Sequence, residues 1–202
     1  MPRRRVVAAF LIQFAAIYGL LIMPWPGWRN AYGSFFRQMA GATFARANGP
    51  TIVRFRPAEN PPRTEIDIEI LLASRADLDA AGRGPVRILG LDSRGVGWVP
   101  SALLLALAGA TPLPWSRRWR VLFAGTLLVH GYLLALVASY LWNQSCGLTP
   151  VSFLPFWAPL GEFLEETFVN QLGPSFAVPT MIWLLVILAM ERPSFFRERF
   201  GR

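Results

Sequence analysis

Four apolar runs, at residues 6–23, 96–113, 121–142 and 174–190, constrain this chain more than any other feature, because arginine clusters stand beside them. Arg3, Arg4 and Arg5 precede the first run. Arg117, Arg118 and Arg120 separate the second from the third, and Arg192, Arg197, Arg199 and Arg202 follow the fourth. The first run holds eighteen residues. At about 1.5 Å per residue it reaches about 27 Å, enough to cross a hydrocarbon core. The pattern predicts a membrane protein of all-α class: a bundle of four transmembrane helices carrying a small extracytoplasmic α+β insertion. The expected parts are an N-terminal anchor helix (1–23), the insertion (24–95), a transmembrane hairpin (96–142), an interfacial amphipathic loop (143–173), and a last span with a basic tail (174–202).

Charge supports this reading. Charged residues make up 16% of the 202 residues, well below the roughly 25% of soluble domains. All 20 basic residues are arginine, and the net charge is +8. A nucleic-acid partner is not expected, because much of that charge sits beside apolar runs, where arginine orients spans and meets anionic headgroups. The single cysteine, Cys146, excludes an internal disulfide framework. A basic start followed by an apolar run also describes a signal peptide. This run is long for one, however, and Pro24-Trp25-Pro26-Gly27-Trp28 offers no small-residue cleavage site. Trp25 and Trp28 suit a membrane interface.

The clusters also set the expected orientation. With the N-terminus inside, the three clusters place ten arginines in the cytoplasm, and the segment 143–173 outside holds none. The loop 24–95 also contains ten, but loops longer than about 60 residues translocate largely regardless of charge. Both termini are therefore expected in the cytoplasm, in an inner membrane. Arg94, beside the second run, is the residue most at odds with this.

Between the first two runs, residues 31–47 place Phe35, Phe36, Met39, Ala40 and Phe44 near helical spacing, which predicts an interfacial helix. Strands are expected at 51–56, 64–71 and 85–91. In the second, Ile66, Ile68 and Ile70 alternate with Glu65, Asp67 and Glu69, a period of two. One face should be buried and the other acidic, with Arg54, Arg56 and Arg87 available across the strands. In the 143–173 loop, the stretch 148–160 is apolar but broken by Pro150, Pro155 and Pro159, too short to span. Phe163, Leu164, Thr167, Phe168 and Leu172 then oppose Glu162, Glu165 and Glu166, predicting a second surface helix. The two acidic sets, Glu65/Asp67/Glu69 and Glu162/Glu165/Glu166, are candidate partner surfaces or plain solvated faces.

His130, the one histidine, falls inside the third run, where a polar group is costly and often functional. It reads either as a proton relay or catalytic group, or as a neutral imidazole hydrogen-bonded across helices, with Gln13 the polar candidate in the first run. The runs contain no acid to complete a metal site with it, and no cofactor or catalytic set is expected. Cys146 lies 16 residues from His130, on the order of 24 Å along a helix, too far for a thiolate–imidazole pair. Asp77-Leu78-Asp79-Ala80-Ala81-Gly82 lacks the closing glutamate of a calcium loop and reads as a turn. Small residues recur every fourth position, as Ala102, Ala106 and Ala110 in the second run and Gly131, Ala135 and Ser139 in the third. These stripes are expected to let helices approach closely, either facing each other within the hairpin or facing partner helices.

Gly95-Val96-Gly97-Trp98-Val99-Pro100 opens the second run and Ala110-Thr111-Pro112-Leu113-Pro114-Trp115 closes it. Arg117-Arg118 opens the third, and Ala177-Val178-Pro179 sits early in the last. With the order of parts, these segments make the chain resemble the small exosortase-associated inner-membrane proteins, particularly the exosortase H-associated type. The resemblance covers the architecture broadly and local motifs in the second and third runs. It implies a non-enzymatic accessory protein of an envelope protein-sorting system, partnered by another integral membrane protein, and it carries over no catalytic residue. The sortase-like enzymes of such systems use a cysteine, an arginine and a later histidine. Here His130 precedes Cys146, so the chain is not read as the enzyme. A membrane enzyme or small transporter built on His130, and a structural subunit of a larger membrane complex, remain the alternatives.

Overall fold

The computed structural model describes residues 2–44, 51–58, 66–78, 84–145 and 172–200. It is mostly helical, with one three-stranded sheet. In chain order the elements are α1 (Pro2–Ile22), α2 (Trp28–Phe44), β1 (Thr51–Pro57), β2 (Ile68–Ser74), β3 (Val86–Leu91), α3 (Val99–Ala110), α4 (Trp115–Ser145) and α5 (Leu172–Phe200). Two compact units emerge. One contains α1, α3, α4 through Tyr132, and α5; the other contains Pro24–Trp98 and Leu133–Leu172. The expected surface helix with Glu162, Glu165 and Glu166 lies outside the described residues, as do Glu65 and Cys146.

Two helices, α1 of the helical unit and α4, which leaves that unit after Tyr132, are each long and apolar enough to cross a membrane, over Arg5–Ile22 and Trp115–Leu141. Two further apolar helices are shorter, Arg94–Ala110 and Phe176–Met190. Large apolar side chains remain exposed: Ile12 at 69% and Leu11 on α1, Phe123 at 75% and Leu127 on α4, and Met181 and Leu185 on α5. The inside of the unit is formed by Ala108, Val121 and Val186, with Leu113, Ile182, Trp183 and Ile187 packed around them.

The small-residue stripes divide. Ala102, Ala106 and Ala110 are all buried, as close approach of α3 to its neighbours requires. The other stripe is not the buried face of α4. Gly131 faces open space, Ala135 is exposed, and Ser139 is half-buried with its hydroxyl turned back to the Ala135 carbonyl. The buried ridge of α4 is Val121, Gly125, Val129, Leu133, Val137 and Leu141, again every fourth residue. Its small member is Gly125. A side chain there would begin 3.0 Å from Leu104 Cδ2, so a leucine of α3 fills the notch in α4.

In the second unit the sheet is antiparallel with order β1-β2-β3. Ile68, Ile70, Leu72 and Ser74 are buried in strict alternation. The expected period of two is present, but the strand begins at Ile68 rather than at residue 64. Directly opposed residues share a face, so Phe55 and Leu89 join Ile70 on the inner side. Helix α2 begins at Trp28, three residues earlier than expected, and is described through Phe44. Its buried positions are Tyr32, Gly33, Phe36 and Ala40, with Phe44 against Phe55 and Phe35 left half exposed.

Candidate functional site

Three arrangements in the described residues bring polar or aromatic groups together. The first joins the sheet to the helix that follows it. β3 ends at Leu91, and Asp92 at once caps the next helix: its carboxylate accepts from the amides of Arg94 (3.0 Å) and Gly95 (2.9 Å). Asp67 accepts from the Ser93 amide (2.8 Å) and from the Ser93 hydroxyl. Two carboxylates thus satisfy amides that a helix start leaves open, and negative charge is favoured there by the helix dipole. Asp67 was expected on a solvent-facing acidic strand face. It instead precedes β2 and turns inward, because Ser93, 1% exposed, offers it two donors. The approach depends on Gly33 of α2, where a β-carbon would sit 2.8 Å from Asp67 Oδ2.

The helix begins as a π-turn, Arg94–Trp98, a wide turn that often marks functional or strained positions. Trp98 stacks edge-on with Trp28 (4.7 Å between centroids) and tilts against Tyr32 (5.4 Å). Tyr32 in turn meets Phe36. Gly97 admits the Tyr32 hydroxyl, which would lie 2.7 Å from any β-carbon there. The Gly-Val-Gly-Trp segment is therefore a docking strip for α2.

The outer face of the sheet is the second arrangement. Register places Ile52, Ala73 and Val86 in one row, Arg54, Leu71 and Ile88 in the next, and Arg56, Glu69 and Gly90 in the third. Val86 and Ile88 are 50% and 56% exposed. Glu69 is held by Arg56 at 2.8 Å; Arg54 stands opposite Leu71 on this face, whereas Arg87 stands opposite buried Leu72 and so belongs to the other face. Among the described residues, the face expected to be acidic is thus apolar and arginine-edged, and its strand acid, Glu69, has the cross-strand arginine partner that was expected. The alternation of Val86 and Ile88 with Arg87 and Leu89 was the available signal.

The third arrangement centres on Thr111, at the turn between α3 and α4. Its hydroxyl donates to the Leu107 carbonyl (2.6 Å) and accepts from Trp183 Nε1 of α5 (3.0 Å). Its carbonyl accepts from Arg118 Nη2 (3.1 Å), and that guanidinium lies over the Trp115 ring. Phe10 of α1 stacks on Trp183. One threonine therefore connects a turn, an arginine of the basic cluster and an indole. The contact with Trp183 spans 72 residues and has no local sequence signature.

His130 is half-buried on α4. Its Nδ1 lies 2.8 Å from the Thr126 carbonyl one turn earlier; a carbonyl only accepts, so Nδ1 carries the proton. Gln13 is exposed on α1 and is not the partner of that nitrogen. Among the described residues, no group of three or more histidine, cysteine, aspartate or glutamate side chains is placed to hold a metal ion. No protein-family model, curated protein or solved structure matches this chain.

Proposed function

We propose that the chain is a non-enzymatic accessory protein of a bacterial inner membrane, a partner or assembly factor for another integral membrane protein in an envelope protein-sorting system. Four helices cross the bilayer with both termini in the cytoplasm, and the insertion 24–95 is extracytoplasmic. α1 and α4 are the two long spans. Arg94–Ala110 and Phe176–Met190 are the short ones, near the lower limit of about 17 residues for a crossing helix.

The observation that carries the membrane part is the exposed apolar surface of the helical unit, from Leu11 and Ile12 to Phe123, Leu127, Met181 and Leu185. Water would penalise that surface by about 25 cal/mol per Å², and lipid would not. The short connection through Arg117, Arg118 and Arg120 then belongs inside. Exposed Trp115 and Trp119 beside it, packed edge to face, suit the interface. The partner role rests on the outer sheet face, whose exposed Val86 and Ile88 beside Arg54 fit an apolar surface bearing carboxylates. The sorting context rests on the likeness to exosortase-associated proteins drawn from the sequence.

Extraction in mild detergent, followed by affinity capture and mass spectrometry, tests this role. Wild-type chain should bring down one stoichiometric integral membrane protein, and Ile88→Asp should lose it while the chain stays abundant. Capture of the chain alone contradicts the role. His130→Phe should leave both abundance and capture unchanged. If it instead abolishes a transport or enzymatic phenotype at normal abundance, the His130-centred alternative replaces this one.

A further inference from the structure

Gln13 occupies an unusual place. It lies near the middle of the apolar stretch Arg5–Ile22, roughly 12–14 Å from either end, so in the transmembrane reading it sits close to the bilayer midplane. There an unpaired carboxamide is costly, since lipid offers neither donor nor acceptor. The described residues do not relieve it. α1 turns Phe10, Phe14, Ile17 and Tyr18 inward, with Phe10 on Trp183 and Ile17 against Gly109. Gln13 is exposed, and no described residue hydrogen-bonds to it.

The residues around Gln13 indicate what covers it. Val6, Ala9, Gln13, Ala16 and Leu20 are all exposed. They are spaced three, four, three and four apart, the seam of a left-handed helix pair. Ala9 and Ala16 flank the glutamine and permit close approach of a second backbone. A carboxamide is both donor and acceptor. A second copy of α1, inserted with the same polarity, brings its own Gln13 to the same depth. A single polar residue within such a seam also fixes register.

We propose that α1 is a dimerisation helix: two copies of this chain pack in parallel along Val6, Ala9, Gln13, Ala16 and Leu20, and the two Gln13 carboxamides hydrogen-bond to each other within the bilayer. The proposal rests on α1 crossing the membrane and goes beyond the accessory role, which names a different partner.

Oxidative crosslinking of the full chain in native membranes, in a Cys146→Ser background, tests it. Ala9→Cys and Ala16→Cys should each give an adduct of twice the chain's mass. Ala15→Cys, exposed on the other side of the same helix, should give little. Adding Gln13→Leu to Ala16→Cys should reduce the dimer constant by about threefold to tenfold, the scale of an interhelical hydrogen-bonded pair in lipid. Gln13→Asn, which keeps the amide, should retain most of it. Equal crosslinking at Ala15→Cys, indifference to Gln13→Leu at equal abundance, or an adduct of any other mass overturns the dimer. A water-soluble maleimide applied to Ala16→Cys separates the two failures: reaction there removes α1 from the bilayer and overturns the membrane reading together with the dimer, whereas protection without a homodimer overturns the dimer alone.

Discussion

Asp67 shows how a single side chain can differ from what its neighbours in sequence imply. By alternation it belongs with Glu69 on an outward face, yet its carboxylate is tied to the amide and hydroxyl of Ser93, 26 residues away. Hydrogen bonds to a charged group contribute about 1.5–3 kcal/mol, and removing one partner leaves the other unsatisfied. Asp67→Ala should therefore destabilise the sheet unit by about 2 kcal/mol, read as faster proteolysis of the 24–98 region in detergent at unchanged α1 and α4 protection. Ser93→Ala removes one of the two donors and should cost less. Equal resistance of Asp67→Ala and wild type would show that the latch contributes nothing. Neither Asp67 nor Thr111 was legible as a structural node, because both act through partners far along the chain, and local spacing carries no information about those.

Among the elements, the most readable were those with a strict period. β2 announces itself through alternating isoleucines, and α1 and α4 through unbroken apolar length. Boundaries shifted where capping chemistry decided them: Asp92 caps the π-turn Arg94–Trp98, which leads into α3. The small-residue stripes were half legible. Ala102, Ala106 and Ala110 pack as spacing implies, but α4 has two glycines, and only a knowledge of Leu104 selects Gly125 over Gly131. This choice is testable. Gly125→Leu meets Leu104 and should cost about 1–3 kcal/mol through overpacking, seen as a lower melting temperature in detergent. Gly131→Leu, with open space around it, should leave the melting temperature within error. The reverse order would mean that α4 buries its other face. On the outer face of the sheet the expected cross-strand pairing is present between Arg56 and Glu69, but Asp67 is tied to Ser93 instead, so among the described residues Val86 and Ile88 set the character of that face.

For the whole molecule, composition and arginine placement led to the membrane expectation, and two helices, α1 and α4, are long and apolar enough to cross a bilayer. Orientation depends on something neither composition nor packing contains: which side each loop occupies. The arginine tally is even between the clusters and the 24–95 loop, so the assignment rests on the weak weight of long loops. Single-cysteine labelling in whole cells, in a Cys146→Ser background, measures it directly. Ala76→Cys is suited to the sheet unit, because Ala76 is exposed whereas Ser74 is buried; Ser194→Cys reports on the C-terminal side of the last helix. The account predicts that a membrane-impermeant maleimide labels Ala76→Cys in intact cells and labels Ser194→Cys only after permeabilisation. Protection of Ala76→Cys until permeabilisation, with Ser194→Cys labelled from outside, would contradict it.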